Sequence, residues 1–141
     1  MTETTTAGTQ TESVEEFASR ARKWLAENMP SIDPDNPPDA DRGEEGPWLR
    51  ARELQKKLWD GGFAGICFPR EYGGLGLPIA YQRAFDVESR NYEMPIILNT
   101  PTFTICAATI LDVAGEEQKR IHIGGALRGE QVLVQLLSEP S

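Results

Sequence analysis

The chain has 141 residues, with 22 Asp or Glu against 14 Lys or Arg, for a formal charge of −8 at pH 7. That balance repels a phosphate backbone and argues against nucleic-acid binding as a main role. A single histidine, His122, and two cysteines outside any CxxC spacing, Cys67 and Cys106, are too few soft ligands for the usual zinc site, so no metal is expected.

Residues 1–12 hold six Thr and no branched aliphatic or aromatic side chain, and are expected to be a disordered tail. The tail has neither the basic start and apolar core of a signal peptide nor an Arg before Arg20. A cytoplasmic location is expected, and no apolar run approaches the roughly 18 residues that span a bilayer. Ser13 and Glu16 form a capping box, followed by Val14, Phe17, Ala18, Ala21, Trp24 and Leu25 at helical spacing. This first helix should end near Asn28, because Pro30 and the segment DPDNPPD at residues 33–39 cannot continue it and make a solvated, stiff linker.

A second helix is expected from Pro47 through Trp48, Ala51, Leu54 and Leu58 to a stop at Gly61 and Gly62. The apolar piece FAGICF at 63–68 leads into PREYGGLGLP at 69–78, where Gly73, Gly74 and Gly76 need positive φ or close backbone approach. That loop lacks GK[ST] and GxGxxG, so an ordered connection fits better than a phosphate cradle. A third helix runs from Pro78 to about Tyr92. A fourth, starting at Thr100 and Pro101, is apolar nearly all round and belongs at the centre of a bundle.

A short charged helix follows from Glu116 to about Ile123, with Gly124, Gly125 and Gly129 breaking the path into a final strand at Gln131–Ser141. The two cysteines read as buried thiols, His122 as a helix-surface residue, and Trp24, Trp48 and Trp59 as packing residues. No Ser/His/Asp or Cys/His constellation assembles. The residues alone describe a helical domain and no chemistry.

Four segments in order resemble the acyl-CoA dehydrogenase family. GGFAGICFPREYGGLGLP (Gly61 to Pro78) is similar to its Pro-x-x-(Tyr/Phe)-Gly-Gly-x-Gly turn, and FDVESRN (Phe85 to Asn91) to its next acidic helix. AGEEQKR (Ala114 to Arg120) with GGALRGE (Gly124 to Glu130) resembles its Gly-Thr-Glu-Glu-Gln-Lys region, and LLSEPS (Leu136 to Ser141) the start of its Thr-Glu-Pro-x-(Ala/Gly)-Gly-Ser-Asp motif.

The resemblance implies an all-α N-terminal helical bundle at 13–129 and, at 130–141, the first strand of a β domain that a C-terminal bundle would follow. It implies FAD as cofactor, an acyl-CoA substrate, loss of a proton α to the thioester to a carboxylate base, and hydride transfer from the β carbon to flavin N5. Ser138 takes the place of a Thr at the flavin's pyrimidine edge, flanked by Gln135 and Leu137. Leu98, Asn99, Thr102 and Cys106 stand where the acyl pocket is walled, although Asn99 and Thr102 suit helix capping equally. The base lies in a domain this chain lacks, so it carries no catalytic residue and should not catalyse alone. Partners implied are dehydrogenase subunits in a homo- or hetero-oligomer and an electron-transfer flavoprotein, in fatty-acid or steroid side-chain degradation. Two other readings stay open: a non-catalytic, truncated interaction module, and a related flavin oxidase or monooxygenase.

Overall fold

In the computed structural model, residues 12–38 and 41–134 are described. Helix α1 (Val14–Asn28) starts at the expected capping box: Ser13 Oγ accepts from Glu16 N, and Glu16 Oε1 accepts from Ser13 N. Helix α2 (Glu45–Gly61) ends where Gly62 turns left-handed at φ 83°. Phe17, Ala21 and Leu25 from α1 meet Leu54 and Leu58 from α2 in the main core, completed by Phe63, Ile66, Tyr81 and Phe85. The three tryptophans are partly buried packing residues, as expected: Trp24 and Trp59 lie against the main core, and Trp48 beside Ala51, Ile97 and Leu98.

The glycine loop is an ordered connection around a short 3₁₀ turn, Arg70–Tyr72. Gly73 and Gly76 take positive φ, whereas Gly74 serves close approach, since a Cβ there would sit 2.2 Å from the Phe68 carbonyl oxygen. Helix α3 (Ile79–Glu88) stops four residues short of the expected Tyr92. Extended pairing wins over further helix, because Ile32 N donates to Asn91 O at 2.9 Å and Glu93 N to Pro30 O at 2.8 Å. The start of the linker is therefore anchored to the chain beyond α3 rather than solvated throughout.

Helical backbone then runs from Ile96 to Val113: a 3₁₀ turn (Ile96–Leu98), a π-helical stretch (Asn99–Ala107) and α4 (Ala108–Val113). It begins before Thr100 and passes through Pro101. The expected all-round burial is corrected. Among its described side chains only Ile97, Leu98, Thr102 and Ala107 are buried, while Ile96 is 65% and Val113 77% exposed. The described residues that pack on this helix come from α2, α5, the segment after α5 and Phe68. With Asp112 its single charge, the stretch is by length and composition long and apolar enough to cross a bilayer, contrary to the expectation; a domain's core helix meets the same criterion. Interspersed threonines hide that average from a search for an unbroken apolar run.

Helix α5 (Glu116–Leu127) continues through Gly124 and Gly125 instead of breaking there. Both are buried, and a Cβ on Gly125 would meet the Gln131 side chain at 2.7 Å, so these glycines permit contact. The stop comes at Gly129, φ 79°, which lies against the α2 backbone with its would-be Cβ 2.6 Å from Arg52 O. No strand occurs among the described residues, only the bridges Ser31 to Tyr92 and Asp33 to Asn36. Of the expected strand, residues 131–134 are unpaired with any ladder, and 135–141 lie outside the described residues. So do residues 1–11 of the expected tail. Glu12 is placed, accepting from Tyr81 Oη at 2.6 Å through its carbonyl and pairing with Arg20 at 2.7 Å.

Candidate functional site: an aromatic groove beside α3

A groove of about 440 Å³ opens between α3, the Phe63–Phe68 strip, the Tyr92–Ile96 segment and the start of the π-helical stretch. Its aromatic residues come in two pairs. Phe63 and Phe85 stack at 5.2 Å between centroids with planes 25° apart, and Phe68 meets Phe103 edge-on at 6.0 Å and 72°. Leu58, Ile66 and Leu127 deepen the apolar lining. The sequence brings these rings together because the bend at Gly65, φ 62°, folds Phe68 back, with Phe68 N donating to Gly65 O at 3.0 Å.

The polar lining is largely satisfied internally. Gln55 Nε2 donates to Leu127 O at 3.0 Å, Gln82 Nε2 to Asp86 Oδ1 at 2.8 Å, and Ser89 Oγ to Asp86 O at 3.3 Å. Cys67 is exposed at the rim and Cys106 half-buried, both free, which corrects the expectation of two buried thiols. Partial burial and the Asp86 carboxylate push the Cys67 thiol upward in pKa, away from a reactive thiolate. Among the described residues of the groove no nucleophile is hydrogen-bonded to a base.

Of the four residues expected to wall an acyl pocket, Asn99 lines the groove. Leu98 is fully buried with Ala51 and Ile97. Thr102 is fully buried too, and its hydroxyl donates to Leu133 O at 2.9 Å. Cys106 does not line the groove. Gln135, Leu137 and Ser138, the expected flavin contacts, lie outside the described residues. Phe63, Phe68, Phe85 and Phe103 also line the groove, and in the sequence each is indistinguishable from an ordinary packing residue, their number within about forty residues being the one signal of a shared surface. His122 is half-buried, with Nδ1 3.1 Å from Gln131 Oε1, so it is a packing contact rather than a free surface residue.

Away from the groove, Tyr72 Oη donates to Glu116 Oε1 at 2.6 Å, joining the glycine loop to the start of α5. This bond pushes the tyrosine up to about 12 and holds the Glu116 carboxyl below the usual range. Arg22 pairs with Glu88 at 2.9 Å and Arg50 with Glu93 at 3.0 Å, and the Arg22 hydrogen bonds lower the Glu88 carboxyl.

A family model described as acyl-CoA dehydrogenase, N-terminal domain, matches residues 11–130. The chain belongs to the acyl-CoA dehydrogenase family. It is also similar to a 3-(aryl)acrylate reductase of Clostridium sporogenes (strain ATCC 15579), 33% identical over 94 residues. That match takes in 63% of this chain and 24% of the relative, so the chain spans about a quarter of that protein's length. No solved structure matches. As an acyl-CoA dehydrogenase N-terminal domain the chain brings FAD into consideration. The groove does not fit a flavin by itself: the amides that could meet the pyrimidine edge, Gln55 and Gln82, already donate within the protein. Among the described residues no His/Cys/Asp/Glu group is arranged to hold a metal.

Proposed function

We propose that the chain is the N-terminal part of an FAD-dependent acyl-CoA dehydrogenase, an oligomeric cytoplasmic enzyme that forms the α,β double bond of an acyl-CoA thioester and passes electrons to an electron-transfer flavoprotein. Its own share is a wall of the acyl site through the Asn99 and Phe103 side of the groove, together with one edge of the flavin site at Gln135, Leu137 and Ser138. The observation that carries this reading is the pairing of the family match over 11–130 with an apolar groove that contains no acid–base pair. Such a surface holds the acyl group while the α proton and β hydride leave to groups elsewhere. Bound FAD would supply the hydride acceptor.

The name of the Clostridium relative favours a second reading, in which the same flavin chemistry runs as reduction of an arylacryloyl group. Both are tested on the product of the complete reading frame. We expect it to purify with flavin and to oxidise acyl-CoAs with an artificial electron acceptor. Reduction of an arylacryloyl thioester by the reduced enzyme would favour the second reading, and rapid oxygen consumption a flavin oxidase. Protein that lacks flavin and turns over neither substrate class overturns the proposal and leaves the interaction module.

A further inference from the structure

We infer that the acyl group taken by this site carries an aromatic or fused-ring system, and that Phe103 and Phe68 select it; the inference rests on the acyl-CoA dehydrogenase reading of the groove. Four of the chain's five phenylalanines line this one groove, at Phe63, Phe68, Phe85 and Phe103. An unbranched alkyl tail gains nothing from ring edges and faces that aliphatic side chains would not give. A flat ring does, because its faces and edges find complementary partners in offset-stacked or edge-on geometry. Phe68 and Phe103 offer the groove an edge-on pair at 72°, over Phe63 and Phe85, which are stacked on each other beneath them.

Size points the same way. An apolar cavity of about 150 Å³ accepts benzene, so about 440 Å³ leaves room for a fused bicycle and its linker. Two of the polar groups in the lining are turned inward, Gln82 and Ser89 both donating to Asp86. The two pairs also differ in freedom. Phe63 and Phe85 are only 3% exposed and form a fixed floor, while Phe68 and Phe103 are half-buried and present accessible surface.

The test uses the complete flavoenzyme and compares kcat/KM for naphthylpropionyl-CoA with that for octanoyl-CoA. Calorimetric binding of naphthoyl-CoA, which has no α,β hydrogens to lose, provides a readout independent of turnover. The ring substrate should be favoured, and Phe103→Leu should cut that preference about tenfold or more, lowering naphthoyl-CoA affinity by a larger factor than it lowers kcat/KM for octanoyl-CoA. Because Phe103 also packs toward Leu98 and Tyr72, Phe68→Leu provides the same comparison should Phe103→Leu fail to fold. Preference for octanoyl-CoA, or a ratio that neither variant changes, overturns the inference while the dehydrogenase reading stands. Naphthoyl-CoA binding without turnover of any acyl-CoA leaves the ring site and sinks the dehydrogenase reading; loss of both removes the two together.

Discussion

The buried amide of Gln55 is the sharpest place to test how the fold is held. Leu127 is the last residue of α5, so its carbonyl has no partner within the helix. Gln55, 4% exposed, supplies one from α2 at 3.0 Å, and Arg52 beside it donates to Gly129 O at 2.9 Å and Glu130 O at 3.0 Å. Gln55→Leu keeps most of the volume and removes the donor, leaving a buried carbonyl unmet at a cost of about 1–3 kcal/mol. For a chain of this size that corresponds to a fall of roughly 3–10 °C in melting temperature. Arg52→Met is the contrast, since its carbonyls lie nearer the surface where water replaces the guanidinium, and its effect should stay below about 1 kcal/mol. The assay is reversible thermal unfolding followed by far-ultraviolet circular dichroism. An unchanged melting temperature for Gln55→Leu, or a larger loss for Arg52→Met, would falsify the argument that the α2 amide closes the end of α5.

Thr102→Val removes the donor to Leu133 O while keeping shape; we expect a loss of about 0.5–1.5 kcal/mol and faster hydrogen exchange in the 131–134 segment, and a changed substrate profile at unchanged stability would contradict this placement. Tyr72 gives a pH signature. Its folded pKa, raised to about 12 from 10.0 by the bond to Glu116, means the contribution is complete below pH 10 and is lost as pH climbs through 12. The wild-type melting temperature should therefore drop across that window by more than that of Tyr72→Phe, and parallel curves would show that the bond contributes nothing.

Local rules carried the sequence reading where the determinants were local. The Ser13 and Glu16 capping box starts α1, the Gly62 terminator ends α2, and Gly73, Gly74 and Gly76 behave as their loop demanded. Where distant partners decide, residue spacing was silent. Nothing in the sequence says that Asn91 and Glu93 pair with Ile32 and Pro30 and so shorten α3, or that Gly125 exists for Gln131. The apolar pattern of the Ile96–Val113 helix led to an expectation of burial all round, and it failed because periodicity cannot say which faces a neighbour covers. At the candidate site Asn99 was legible through family spacing, whereas Phe68 and Phe103 needed the fold to bring residues 35 positions apart into one pair.

The chain from Glu88 to Glu93 forms the groove's rim, and it is strung between two anchors on different helices, Arg22 of α1 and Arg50 of α2. Its middle is stitched to the Pro30–Ile32 segment that leaves α1. One edge of the groove is thus tied at its two ends to the first two helices. Substitutions that respace those helices are expected to change the width of the groove without altering any of its rings.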